Sequence, residues 1–221
     1  MGIAKSLSLY GIAYLALLMV VFGLQYAYPK LELHLLLNSY HTSFQDTFFK
    51  YYTILAEWPL YVLALLPAFW GKIRMTLFFA ACELTGGALL QLLKHTISTD
   101  RPVCAFEHYQ GAVLPLVEGV DMHHSNSFPS GHASTFFVFC TCCAIILVCH
   151  YRLKAEQMGT IGRVGLQAVL LALLVLAVLG AYSRIYLSQH FLSDICMGSI
   201  IGFTTPFLIF FFARKKLITH F

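Results

Sequence analysis

The chain has 221 residues, of which 59% are hydrophobic and only 11% charged. A soluble domain carries about 25% charged residues, so an ordinary aqueous globule is excluded and a bilayer is the expected solvent. The formal net charge of +4 is modest, and no nucleic acid is expected as a partner.

A helix needs roughly 20 apolar residues to cross a hydrocarbon core of about 30 Å. Six runs qualify, at about 7–27, 55–71, 74–93, 132–150, 164–182 and 195–213, the second being short with soft ends. The predicted fold class is therefore all-α: a polytopic membrane protein with six transmembrane helices in one bundle, a single domain over 1–221. Lys5 precedes the first run as in a signal peptide. However, that run is longer than a signal h-region and no A-x-A site follows, so it is read as a retained helix. Met1-Gly2-Ile3-Ala4-Lys5-Ser6 fits the myristoylation pattern. A helix that already spans gains little from an acyl chain, and lipidation is set aside.

The connections differ in character. Residues 28–54 alternate apolar and polar residues and suit one or two short helices lying in the outer interface. Residues 94–131 form the longest polar segment, in which Pro102, Pro115 and Pro129 are predicted to break regular structure. Residues 183–194 make a short polar connection, and 72–73 and 151–163 are the short links on the opposite side.

Six spans put both termini on one side. That side collects nine of the 14 basic residues: Lys5, Lys72, Arg74, Arg152, Lys154, Arg163, Arg214, Lys215 and Lys216. Positive charge favours the cytoplasm, so the termini are expected there. Lys30, Lys50, Lys94, Arg101 and Arg184 then face outward, several at span ends where this rule discourages cations. Of seven cysteines, Cys104 alone falls in an outer loop, and no CxxC pair exists. Neither a disulfide framework nor a zinc site is implied.

Three polar clusters carry chemistry. In KHTISTDRP, Lys94 ends the third span and Arg101 precedes Pro102; lone basic residues in such places often snorkel. In FPSGH, Pro129, Ser130, Gly131 and His132 lead directly into a helix. Unpaired N–H groups of a first turn make an anion site, and His132 beside it can carry a proton. Ser127 or Ser130 could equally serve as a plain N-cap. In SRIYLSQHFLSD, His190 and Asp194 are spaced i, i+4, which on a helix puts them on one face. An aspartate on one imidazole nitrogen exposes the other, making His190 a possible nucleophile or base. Arg184 can close over an anion with paired bonds.

Together these supply three cations, two histidines, an aspartate and a helix-start nest on one side of a membrane. A phosphoryl group in transfer spreads negative charge over three oxygens and suits such a site. No dense carboxylate set is available for magnesium, so a metal-free mechanism without cofactor is expected. This reading of the residues leaves open which histidine attacks.

Lys94-x6-Arg101-Pro102, then Pro129-Ser130-Gly131-His132, then Ser183-Arg184-x5-His190-x3-Asp194 resembles the three-part signature of the type 2 phosphatidic acid phosphatase superfamily, in residue type, spacing and order. The resemblance spans residues 94–194, and the six-span layout resembles the family's integral-membrane branch. It implies that His190 attacks phosphorus, that Asp194 orients it, and that His132 protonates the leaving oxygen and then activates water. It also implies that Lys94, Arg101, Ser130, Gly131 and Arg184 bind phosphate. The implied activity is a bacterial lipid phosphate phosphatase of the cytoplasmic membrane, with the site on the outer face. The bilayer and a membrane lipid phosphate would be its partners. The HSNSFPSGHAS context and short outer loops look most like the lipid A 4′-phosphatase branch. Undecaprenyl pyrophosphate phosphatase is next, and phosphatidylglycerophosphate or phosphatidate phosphatase third.

Phosphotransfer to a lipid acceptor is a second enzymatic expectation. A transporter is a third, disfavoured because the charges sit at helix ends rather than at the midplane. Glu83 is the exception. It lies eleven residues before Lys94, almost three turns, so both face the bundle interior, and a structural hydrogen bond is expected of it. Gly86, Gly87 and Ala88 suit close helix packing. Asp121, His123 and His124 form a loop cluster that could suggest a metal but lacks a fourth ligand.

Overall fold

The computed structural model describes residues 3–107, 109, 112–152 and 159–217. Met1-Gly2 of the acylation-like pattern and Lys154 of the 151–163 link lie outside the described residues. Nine helices follow in order among those described: α1 (Ile3–Ala27), α2 (Lys30–Leu37), α3 (Ser43–Ile54), α4 (Pro59–Phe69), α5 (Ile73–Thr96), α6 (Pro102–Glu107), α7 (Gly131–Arg152), α8 (Thr160–Tyr186) and α9 (Leu192–Leu217). The protein is an all-helical polytopic membrane bundle. Five helices are long and apolar enough to cross a bilayer alone, and α3 with α4 supplies a sixth span as a bent pair.

These helices outrun the apolar stretches that announce them, and the added turns carry the polar residues. Lys94 sits in the last turn of α5, Gly131 and His132 in the first turn of α7, Ser183 and Arg184 in the last turns of α8, and Asp194 in the first turn of α9. Hydropathy marks where a helix must be dry. Caps and tertiary hydrogen bonds let it continue into the polar rim.

The second span differs most from expectation. α4 covers only 11 residues, and it joins α3 at a 49° bend across the break at Leu55–Trp58. Pro59 is the first residue of α4, a position where its missing N–H costs nothing. α3 does not simply lie in the interface: Tyr52 Oη donates to the Leu176 carbonyl at 2.9 Å, and the Arg184 guanidinium donates to Thr53 Oγ1 at 2.8 Å. α2 remains a short connecting helix. Pro102 likewise does not break the 94–131 segment but opens α6 at its first turn.

α7 is the axis of the bundle: 72% of its apolar window is buried, against 17% for α1. α8 and α9 flank α7 most extensively, with α5 beside α9. The approach of α9 is set by glycine. A Cβ on Gly198 would stand 2.3 Å from the Ser130 carbonyl oxygen, and one on Gly202 2.3 Å from that of Ser134. Only hydrogen at these positions lets α9 touch the backbone at the start of α7. α1 is fastened outside this core through Tyr10 to Thr141 (3.1 Å) and Tyr14 to Ser199 (3.0 Å), with Tyr14 stacked on Phe203.

Candidate functional site

The three polar clusters, up to about 100 residues apart in the chain, meet at one end of the bundle. Backbone bonds stitch the first to the second: Ser127 N–H donates to the Thr99 carbonyl (3.0 Å) and Phe128 N–H to Thr99 Oγ1 (3.0 Å). Arg101 joins all three. Its Nε donates to the Ser125 carbonyl at 2.9 Å, and its Nη1 to the Gln189 carbonyl and Oε1 at 3.1 and 3.2 Å. The second cluster meets the third where Ser130 N–H donates to the Asp194 carbonyl at 3.0 Å. Ser130 also caps α7, its Oγ accepting from Ala133 N–H at 3.4 Å. The plain capping reading and the anion-nest reading of this turn are thus compatible.

His190 does not share a helical face with Asp194. It lies in the turn before α9, behind Ser188 at φ 51, while Asp194 belongs to the first turn of α9. Asp194 Oδ2 accepts from Phe191 N–H (2.9 Å) and from Ser127 Oγ (2.6 Å), and Ser193 Oγ donates to Oδ1 (3.0 Å). This is a capping-box arrangement, in which a carboxylate in the first turn reaches back to the N-cap amide. Asp194 Oδ2 stands 3.6 Å from His190 Nδ1, an ion-pair separation too long for a hydrogen bond. The His190 and Asp194 side chains are 3% and 1% exposed. Burial, helped by Arg184 and Arg101 and opposed by Asp194, pulls the His190 pKa down to about 4. Its imidazole is therefore neutral near pH 7, with one nitrogen available as a nucleophile or base.

Two polar clefts open beside these residues, and both are lined by Glu57 and His132. One continues to Arg184, Gln189 and Asp121; the other to Lys94, Gly131 and Glu83. Among the described residues, Arg184 Nε and His132 Nε2 are buried without a hydrogen-bonding partner. Both residues line the first of these clefts, where an anion would complete the guanidinium Nε–H, and the imidazole too when its Nε2 carries the proton. Glu57 Oε1 is the nearest acceptor to His132 Nε2, at 3.6 Å.

A family model described as the PAP2 superfamily matches residues 75–217, well over half of the chain. The chain belongs to the PAP2 superfamily. It is a multi-pass membrane member of a phosphatase family. Two solved PAP2-like structures share its fold. The crystal structure of Aquifex aeolicus LpxE aligns at a TM-score of 0.60 and 22% identity, covering 81% of this chain and 93% of that one. The first transmembrane PAP2 type phosphatidylglycerolphosphate phosphatase from Bacillus subtilis aligns at 0.63 and 23%, covering 96% and 97%. No curated protein matches the chain.

All eight residues singled out from the PAP2-like signature lie in this region. The parts that four other residues play there escaped sequence reading. Glu57 sits at the α3–α4 break, Ser127 bridges toward Asp194, Gln189 holds Arg101, and Lys50 lines the Arg184 cleft while donating to the Glu118 carbonyl at 2.9 Å. Each is a single polar residue whose partner lies far away in sequence, so no spacing betrays it.

The remaining expectations divide. Glu83 accepts from Thr135 Oγ1 (2.5 Å) and Tyr61 Oη (3.0 Å), the structural role expected of it. Gly86 packs near Ile201 and Thr205 of α9, whereas Gly87 lines the Lys94 cleft and Ala88 is exposed. Asp121, His123 and His124 do not gather as a ligand set. Asp121 and His123 line the Arg184 cleft, and His124 turns toward Cys104.

Proposed function

We propose that the protein is a metal-independent lipid phosphate phosphatase acting through a phosphohistidine, with its site on the outer face of the cytoplasmic membrane and both termini inside. The observation that supports this reading is that His132 and Arg184 line one cleft with Nε2 and Nε unpaired among the described residues, while Gln189 of the same cleft holds Arg101 and directly precedes the His190–Asp194 pair.

Lys94, Arg101, Arg184, Ser130 and the Gly131 amide hold the phosphoryl oxygens. Charge-assisted hydrogen bonds of this kind contribute about 1.5–3 kcal/mol each. Neutral His190 attacks phosphorus, a nitrogen–phosphorus bond forms, and the bond to the lipid oxygen breaks. His132, carrying a proton once the phosphate's negative charge offsets the cations around it, gives that proton to the lipid oxygen. In the second half His132 takes a proton from water as the water oxygen attacks phosphorus. The nitrogen–phosphorus bond breaks, and free phosphate and neutral His190 result. Asp194 balances the positive charge His190 carries while phosphorylated.

Lipid A bearing a 4′-phosphate is the preferred substrate, from the sequence around Pro129–His132. Undecaprenyl pyrophosphate is next, and phosphatidylglycerophosphate or phosphatidate third. The test is phosphate release by the purified full-length protein from a panel of these lipids, at saturating substrate and with chelator present. Turnover that disappears on chelation, or no release from any member, overturns the reading. A phosphorylated lipid product in place of free phosphate would favour transfer to an acceptor instead.

A further inference from the structure

Cys104 stands apart from the other six cysteines, which lie in the membrane-spanning helices. It sits on α6 at the rim of the polar end, half-buried, with Glu107 one turn later on the same helix. His124 arrives from the loop leading to α7. Its Nδ1 lies 3.4 Å from Cys104 Sγ. The thiol sulfur, the imidazole nitrogen and a Glu107 carboxylate oxygen all lie within 4.8 Å of one another. In a tetrahedral zinc site, Zn–S of about 2.3 Å and Zn–N of about 2.0 Å separate those two donors by roughly 3.5 Å. The sulfur–nitrogen edge is therefore already at ligating distance. The exposed Glu107 carboxylate oxygen lies within 4.8 Å of both, a gap that its flexible side chain is free to narrow.

We propose that Cys104, His124 and Glu107 form an outer-rim site for zinc. The mixed sulfur, nitrogen and oxygen donors favour a borderline-soft ion over magnesium or calcium, which prefer all-oxygen shells. Three protein ligands leave one position for water.

The site has a mechanical consequence. Arg101 N–H donates to the His124 carbonyl at 3.1 Å, and Arg101 Nε donates to the Ser125 carbonyl at 2.9 Å. Cys104 is three residues beyond Arg101, on the short helix that starts at Pro102 and bonds back to the Arg101 carbonyl through Ala105 N–H at 3.1 Å. A metal between Cys104 and His124 closes a small ring through Arg101 and fixes where its guanidinium points. The ion touches none of the reacting atoms; it is a positioning element. This consequence rests on Arg101 binding phosphate, as proposed above, whereas the cation site itself does not.

The experiment uses metal-stripped full-length protein in detergent. Cobalt(II) should produce a thiolate-to-metal charge-transfer absorption saturating at one equivalent, and zinc should bleach it. Cys104→Ser should abolish the band. His124→Ala, which keeps the backbone carbonyl that holds Arg101, should weaken binding at least ~100-fold, beyond the effect of losing an outer-shell partner. Zinc should also slow maleimide labelling of Cys104 at least ~10-fold, because the bound thiolate is no longer free to attack. An unchanged band in Cys104→Ser, or labelling indifferent to saturating zinc, overturns the site. Saturating zinc should lower KM for a lipid phosphate about threefold or more at constant kcat, in wild type but not in Cys104→Ser. Zinc binding with no change in KM overturns the link to Arg101 and leaves the site standing. Absence of phosphate release would instead count against the phosphatase reading.

Discussion

Glu57 Oε1 lies 3.6 Å from His132 Nε2, so the break between α3 and α4 delivers a carboxylate to the histidine that opens α7. Glu57 is the nearest acceptor to that ring nitrogen and is placed to orient the imidazole. Glu57→Gln should slow kcat several-fold across the pH profile with KM little changed, because the imidazole loses its nearest acceptor. A profile that superimposes on wild type would show that Glu57 only lines the cleft.

The two histidines should fail differently. His190→Ala should lose at least ~10³-fold in kcat and form no phosphoenzyme, since the attacking atom is gone. His132→Ala should lose about 10²–10⁴-fold, the usual contribution of a general acid or base. With an activated lipid phosphate, whose leaving group needs no proton, His132→Ala should accumulate phosphohistidine. Acid-labile phosphate on the protein, measured after rapid quenching, separates these outcomes.

Ser127→Ala removes the 2.6 Å bond to Asp194 Oδ2 and leaves that carboxylate with the Phe191 amide and Ser193 Oγ. The carboxylate can then turn, and His190 loses its alignment. A fall of about tenfold in kcat with KM little changed is expected. Gln189→Leu should do the reverse, raising KM more than it lowers kcat, because it frees the Arg101 guanidinium from its side-chain anchor.

His34 provides the pH test of stability. Its ring is 1% exposed, packs against Phe106 and Phe191, and has neither nitrogen hydrogen-bonded among the described residues. Burial pulls its pKa down to about 4, with Asp194 opposing and Lys30 reinforcing the shift. His190 is lowered to about 4 as well. An unfolded histidine titrates near 6.5. Between about pH 6.5 and 4 the unfolded chain therefore binds more protons than the folded one, and stability falls as pH falls. The apparent Tm in detergent should drop across this window, and His34→Phe should flatten the drop without lowering Tm at pH 7.5. An unaltered slope in His34→Phe would exclude it as a source.

Gly198→Ala tests the glycine contact directly. The added methyl would press on the Ser130 carbonyl at 2.3 Å, which cannot yield without moving the first turn of α7. Overpacking of this kind costs about 1–3 kcal/mol. Both Tm and phosphate affinity should fall, whereas Gly87→Ala, facing open space, should keep Tm within a degree or two.

Five of the six spans could be read from apolar runs because a bilayer imposes one dominant demand, length in hydrocarbon. The sixth was legible only in part, as the short run 55–71, because composition records that this run is apolar but not that the chain turns 49° before Pro59 and continues the span into α3. The site divides in the same way. Lys94, Arg101, His132, Arg184, His190 and Asp194 announce themselves as polar residues where hydrophobicity stops. The way Asp194 meets His190, through a capped turn rather than along one helical face, depends on the positive φ of Ser188, which a serine does not advertise. Glu57 lies 75 positions from the histidine it faces, and nothing local encodes that meeting.

The brevity of α4 bears on how this span crosses the membrane. Eleven residues rise only about 16 Å, roughly half the usual hydrocarbon thickness. α3 supplies the remaining length beyond the 49° bend, so this crossing is hinged at Glu57, and any shift of one half against the other swings the carboxylate that faces His132.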